Sequence, residues 1–101
     1  MIFLENLSEI IKEDNCVYIN DKDGNMVAYV TFPLDSDGVC NINRTFVDGS
    51  LRGLGIAKKL MDEAYNVIKE KGYKIRITCS YAVKYFSENP EKKDVFYNEK
   101  I

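Results

Sequence analysis

The chain has 101 residues, of which 46% are hydrophobic and 30% are charged, and its net charge is -2. This length predicts a single domain over residues 1–101 with one two-layer core, and the composition is typical of a soluble globular protein rather than a disordered one. The acidic balance argues against a nucleic-acid partner held by a broad basic surface.

Targeting segments and metal-binding patterns are not evident in the sequence. The first residues lack the basic region of a secretory signal, and no apolar run approaches the length of a membrane span. The three cysteines, Cys16, Cys40 and Cys79, are far apart, and the chain has no histidine. We therefore predict no metal, no disulfide framework, no membrane partner and a reducing, cytoplasmic setting. Catalysis by Ser-His-Asp or Cys-His groups is excluded because both need imidazole.

The N-terminal part of the chain predicts a hairpin. Apolar residues at helical spacing over residues 4–11 indicate a short helix, with an extended start at residues 2–4 as the alternative. Residues 16–20 and 26–32 read as strands around a turn in which Gly24 takes positive φ. The second strand is apolar on both faces, which favours a central position in the sheet.

A loop at residues 34–38 precedes a third predicted strand at residues 39–47. Asn41, Asn43 and Arg44 interrupt its apolar pattern. Either this strand is partly open to solvent, or its polar groups face a ligand.

The strongest pattern is an amphipathic helix that starts near Leu51 or Gly53 and ends at Gly72. A strand at residues 73–78 follows, so strand, helix and strand predict a right-handed βαβ crossover with parallel partners. A second helix is predicted at residues 81–89, stopped by Pro90, and the apolar residues of the tail should dock on the body. The predicted fold is a mixed α/β sandwich of the α+β class, with antiparallel strands followed by the βαβ unit.

The segment that joins the third strand to this helix has the features of an anion-binding loop. A helix start offers unpaired N–H groups and a positive dipole end, and Gly53 and Gly55 allow close approach to the main chain. A P-loop would need Gly-Lys-Ser/Thr, and a dinucleotide fingerprint would need glycine where Lys58 stands. A tight turn without any ligand is the alternative interpretation.

This segment resembles the acyl-CoA loop of the GNAT superfamily of N-acetyltransferases, Gln/Arg-x-x-Gly-x-Gly/Ala. Gly53 and Gly55 occupy the glycine positions, whereas Ser50 stands at the Gln/Arg position with Arg52 nearby. The run Thr78-Cys79-Ser80-Tyr81, followed by Tyr85-Phe86 and Asn89-Pro90-Glu91, resembles the small single-domain, YjdJ-like branch of that superfamily. The histidine frequent before Thr-x-Val in that family is replaced here, in Arg44-Thr45-Phe46-Val47.

The resemblance implies that acetyl-CoA is the cosubstrate, with its pyrophosphate on the loop and its pantetheine arm along the third strand. It also implies transfer of the acetyl group to an amine acceptor. The implied cofactor-binding residues are Phe46, Val47, Leu51, Arg52, Gly53, Leu54, Gly55, Ile56 and Ala57.

Cys79 is the candidate catalytic residue, since it immediately precedes a helix start whose dipole lowers a thiol pKa. The resemblance assigns an active-site role to the same cysteine. In one mechanism Cys79 accepts the acetyl group and passes it on. In the other, the amine attacks acetyl-CoA directly while Cys79, Ser80 or Tyr85 assists by hydrogen bonding or by protonating the leaving thiolate. The alternative is that Cys79 is a small buried apolar residue. Tyr81 and Tyr85, one helical turn apart, either present a hydroxyl to the site or pack in the core. A CoA-binding or protein-interaction module without turnover is the rival function, and an unliganded scaffold is a third.

Overall fold

A computed structural model describes residues 7–97 of the chain. The elements, in chain order, are β1 (Ile11–Glu13), β2 (Cys16–Asn20), β3 (Met26–Thr31), β4 (Leu34–Ser36), β5 (Val39–Ile42), β6 (Arg44–Val47), a 3-10 turn (Gly49–Leu51), α1 (Ile56–Lys71), β7 (Lys74–Ile77), α2 (Ser80–Glu88) and a second 3-10 segment (Pro90–Val95). The α+β class predicted from the sequence is confirmed.

The strands form two sheets that separate at one point. An antiparallel sheet has the order β1-β2-β3-β6, and a mixed sheet has the order β4-β5-β7, in which β5 and β7 are parallel. The chain passes from one sheet to the other at Asn43, between β5 and β6. The predicted parallel crossover is present, although its parallel partners are β5 and β7 rather than the strand that directly precedes α1.

The prediction of a single strand at residues 39–47 is therefore wrong, because two strands that belong to different sheets occupy this range. Asn43 lies where the chain passes from one sheet to the other and is bonded twice to Thr31. Its N–H donates to the Thr31 carbonyl at 3.2 Å, and its Oδ1 accepts from Thr31 Oγ1 at 2.6 Å. Asn41 Oδ1 accepts from Thr78 Oγ1 at 3.1 Å. Both interrupting asparagines thus have protein partners, whereas the third interrupting residue, Arg44, is exposed.

Helix α1 packs its predicted apolar stripe against the sheets. Its buried residues are Ile56, Leu60, Met61, Ala64, Val67 and Ile68. The helix begins at Ile56, later than predicted, because Gly53 and Gly55 both take left-handed backbone angles, with φ of +84° and +74°. Gly72 ends the helix in the same conformation, at φ +73°, as expected.

Two further predictions are wrong. Instead of a helix up to residue 11, Leu7 forms an antiparallel bridge with Asp21, and β1 begins at Ile11, which pairs with Tyr18. The extended start at residues 2–4 lies outside the described residues. Instead of a loop at residues 34–38, β4 pairs with β5 as a short exposed edge strand. In both places pairing with a neighbouring strand outweighs the local sequence preference.

The remaining elements agree with the sequence. The hairpin of β2 and β3 turns through Gly24 at φ +84°, and α2 lies within one residue of its predicted bounds. In the tail, Val95 is buried, and Phe96 packs edge-on against Phe86 with ring centroids 5.1 Å apart. Neither described helix is long and apolar enough to cross a membrane.

Candidate functional site

A cavity of about 400 Å³ lies at the start of α1, beside β6 at the edge of the antiparallel sheet. Strand β6 forms one wall, the loop before α1 and the first turn of α1 form another, and the start of α2 contributes one side chain. The lining residues are Thr45, Val47, Leu51, Arg52, Gly53, Gly55, Ala57, Lys58 and Tyr81. Two of them are cationic and none carries a carboxylate, so the cavity favours an anionic ligand.

The start of α1 is left without a cap. Gly55 occupies the N-cap position in left-handed conformation and offers no side chain, and the first turn contains no acidic residue. The N–H groups of Ile56, Ala57 and Lys58 precede the first intrahelical bond, from Lys59 N to the Gly55 carbonyl. A helix start is normally stabilised by a side-chain oxygen or an acid there. This one presents its free donors at the end of the helix that borders the cavity.

Gly53 and Gly55 are required by the backbone angles of the loop, not by a lack of space for a side chain. A Cβ placed on Gly53 or Gly55 would meet no atom within 4 Å. Their positive φ angles nevertheless disfavour any other residue. The loop is therefore shaped by its backbone, and the space beside it is open.

Ser50, at the position where the acyl-CoA pattern has Gln or Arg, serves the loop itself. Its N–H and hydroxyl both donate to the Asp48 carboxylate, the N–H at 3.1 Å. These hydrogen bonds, first that of the hydroxyl, lower the pKa of Asp48. Arg52 is the cationic residue that reaches the cavity in this segment.

The structure brings most of the candidate cofactor-binding residues to the cavity. Six of them line it: Val47, Leu51, Arg52, Gly53, Gly55 and Ala57. Three have side chains elsewhere. Phe46 stacks on Tyr29 with centroids 5.4 Å apart, Leu54 is 47% exposed, and Ile56 is in the core.

Three lining residues were not among the candidate site residues. Thr45 precedes Val47 by two positions in β6, so alternation along the strand places both on one face. Lys58 lies in the first turn of α1, three residues after Gly55, and so falls just beyond the loop motif. Tyr81, whose spacing from Tyr85 allows either a hydroxyl presented to the site or a place in the core, is half-buried and lines the cavity.

Cys79 lies directly behind the cavity wall, at the N-cap of α2. Its Sγ is 3.4 Å from Oγ1 of Thr45, which lines the cavity. Burial is the largest influence on the Cys79 pKa and raises it, but the Thr45 hydroxyl and the N–H groups of Ala82, Tyr81 and Thr45 together lower it below the ordinary value. Burial raises the pKa of both Cys16 and Cys40.

Cys79 is accordingly expected to be alkylated first by iodoacetamide at neutral pH. The thiolate is the reacting form, so a lowered pKa shifts the rate profile to lower pH. Thr45→Val removes the hydroxyl that lowers the Cys79 pKa, so it should leave less thiolate at pH 7 and slow the reaction roughly threefold to tenfold. Thr78→Val is the matched control, since Thr78 donates to Asn41 instead. Equal alkylation of all three cysteines, measured by mass spectrometry, would contradict this assignment.

Tyr85, the second candidate catalytic residue, does not line the cavity. Its hydroxyl donates to the Asp62 carboxylate and accepts from Lys92 Nζ at 2.8 Å. Burial and the bond to Asp62 raise the pKa of Tyr85 to about 12. Asp62 also pairs with Lys58 at 3.4 Å. Tyr85 is thus linked to the cavity through Asp62 and Lys58.

Comparison with known proteins decides the family. Residues 16–95 match the model of the family described as GCN5-related N-acetyl-transferase. The chain belongs to this family. The GNAT resemblance seen in the sequence is thereby confirmed, and the YjdJ-like branch stays a prediction.

Members of known sequence or structure agree with this. Protein NATD1 from Gallus gallus is 38% identical over 52 residues, which cover 52% of this chain and 47% of that protein. The chain therefore spans about half the length of these curated relatives. A GCN5-like protein from Staphylococcus aureus, solved by NMR, is 29% identical with a TM-score of 0.71, covering 91% of this chain and 90% of that one. The GNAT protein YhbS from Escherichia coli, solved in complex with CoA, is 26% identical with a TM-score of 0.57, covering 69% of this chain and 43% of its own.

Proposed function

We propose that this protein binds acetyl-CoA in the cavity at the start of α1 and transfers the acetyl group to an amine. The observation that carries the proposal is the uncapped helix start beside a cavity with two cations and no carboxylate. Membership of the acetyltransferase family and the CoA complex of YhbS support it.

The first turn of α1 would hold the pyrophosphate. The free N–H groups of Ile56, Ala57 and Lys58 donate to phosphate oxygens, and the helix dipole favours the negative charge. Arg52 and Lys58 contribute cationic side chains at the cavity wall. Lys58 is only weakly held by Asp62, which also accepts from Lys92 at 3.0 Å, so its ammonium is available to a phosphate.

Strand β6 would hold the pantetheine arm. It is the edge strand of the antiparallel sheet, bonded to β3 on one side. On its other side no described strand pairs with β6, so the outer backbone groups of Val47 are open to an extended arm, whereas the Thr45 N–H donates to the Cys79 sulfur. An extended arm bonded along this edge would carry the thioester toward Thr45 and Cys79.

Two routes of transfer fit these residues. In the first, the amine attacks the thioester carbonyl, the C–S bond breaks, and the amine proton passes to the departing CoA thiolate. In the second, the Cys79 thiolate attacks the thioester carbonyl, the C–S bond to CoA breaks, and CoA leaves as a thiolate while Cys79 carries the acetyl group. The amine then attacks this thioester, Cys79 leaves as a thiolate, and the amine proton passes to the CoA thiolate. The lowered pKa of Cys79 supports the second route, because it enriches the nucleophilic thiolate. Tyr85 acts as a positioning residue in this scheme, because a tyrosine of pKa about 12 is a poor proton donor at neutral pH.

Release of CoA in the presence of amine acceptors tests this function. We expect acetyl-CoA to be consumed faster when a panel of polyamines, small amines and lysine peptides is added, with CoA and acetylated amine formed in equal amounts. Under the second route, Cys79→Ala abolishes transfer and the wild type accumulates acetylated Cys79 without acceptor; under the first, the variant retains part of its rate. Tight acetyl-CoA binding with no transfer to any acceptor would favour a binding module without turnover.

A further inference from the structure

A row of apolar side chains crosses the antiparallel sheet. The register makes Ile11 a direct partner of Tyr18, Tyr18 a partner of Tyr29, and Tyr29 a partner of Phe46. Direct cross-strand partners point to the same face of a sheet. One residue from each of the four strands therefore forms a continuous strip, which we call the aromatic row.

The aromatic row lies on the face that α1 does not cover. The residues that alternate with it in β2 and β3, including Val17, Ala28 and Val30, are fully buried in the core. None of the four row residues packs against that core, and Phe46 is 40% exposed. In the part of the chain that the structure describes, this face of the sheet has no covering element.

A second row on the same face carries opposite charges at its two ends. Glu13 pairs with Cys16, Cys16 with Thr31, and Thr31 with Arg44. Glu13 thus lies on one edge strand and Arg44 on the other. Within residues 7–97, Arg44 makes no ion pair, and the Glu13 carboxylate accepts a hydrogen bond only from the Tyr18 hydroxyl, at 3.2 Å.

We propose that the occupant of this face is a second copy of the chain. A two-fold axis parallel to the strands, between β2 and β3, places β1 of one copy over β6 of the other and keeps each row over its own counterpart. Glu13 of each copy then faces Arg44 of the other, and Tyr18 faces Tyr29. Because the two charges sit at opposite ends of one row, this arrangement forms two ion pairs at once, as an isologous interface requires.

The size of the surface predicts a weak dimer. Four strands spaced about 4.8 Å apart span only about 14 Å, so the interface falls at the low end of the range for specific complexes. Association should therefore depend on protein concentration, and exposed aromatic side chains should supply most of its energy.

Sedimentation velocity over protein concentrations from about 10 μM to 1 mM tests the proposal. We expect a concentration-dependent shift from monomer to dimer in the wild type. Glu13→Arg and Arg44→Glu should each shift the transition to at least about tenfold higher concentration, since each places like charges opposite one another. The double variant Glu13→Arg/Arg44→Glu should restore wild-type association, because it exchanges the two charges. Phe46→Ser should weaken association without changing charge.

Glu70→Arg is the matched control, since it makes the same charge change at an exposed position on α1 and should leave association unchanged. Circular dichroism confirms that each variant is folded. A wild type that stays monomeric throughout, single variants that associate as the wild type does, or a folded double variant that is not restored would each overturn the proposal.

Discussion

Gly53→Asp is expected to lower the affinity for acetyl-CoA by about 100-fold or more. Gly53 lines the cavity beside the free N–H groups of α1, so a carboxylate there would face the pyrophosphate. Opposed like charges in an interface cost several kcal/mol, and 100-fold corresponds to about 2.7 kcal/mol. Isothermal titration of the variant and the wild type with acetyl-CoA and with CoA measures the effect.

Gly38→Asp separates this effect from backbone strain. Gly38 also takes positive φ, +72°, with open space around its Cβ position, and it lies in the turn before β5, outside the cavity lining. Both substitutions add one negative charge and the same kind of strain. Binding that falls equally in the two variants would mean that a general effect of added charge and strain on the protein, not repulsion at the loop, is responsible.

Phe86→Ala is expected to destabilise the fold by about 3–5 kcal/mol, the usual cost of removing a buried phenyl ring. Phe86 is 1% exposed and makes edge-on contacts with Tyr85 and Phe96, at 5.1 Å between ring centroids in each case. It thereby joins α2 to the C-terminal tail. This cost is a large part of the stability of a small domain, about 5–15 kcal/mol, and urea denaturation measures it.

Val83→Ala on the same helix is the control. Val83 is 52% exposed, so its truncation should change the free energy of unfolding by no more than about 0.5 kcal/mol. Equal losses in the two variants would mean that α2 contributes through helix propensity rather than through the packing of Phe86.

Elements could be predicted from the sequence where the hydrophobic periodicity and the residues that start or stop the element indicate the same structure. The apolar stripe of α1 and its stop at Gly72 needed no tertiary information, and neither did the β2–β3 hairpin around Gly24. The predictions failed where partners outside the local segment decide the structure. Nothing within residues 39–47 shows that the chain changes sheets at Asn43, because the change depends on β3 and β7 as partners.

In the candidate site, too, the features formed by neighbouring residues could be predicted, and those formed by distant residues could not. The loop from Leu51 to Ala57 could be predicted because its glycines and the following helix are adjacent in sequence. The contact of Cys79 with Thr45 could not be predicted, since 34 residues separate them and only the tertiary fold places the start of α2 beside β6. The link from Tyr85 through Asp62 to Lys58 likewise depends on how α2 crosses α1.

The location of bound acetyl-CoA tests the central claim most directly. Two-dimensional amide NMR spectra of the wild-type protein, recorded during titration with acetyl-CoA, report on each backbone N–H group separately. The account predicts the largest shift changes at Gly53, Gly55 and the first turn of α1, with smaller ones along β6. Unchanged spectra, or changes centred away from this loop, would contradict it.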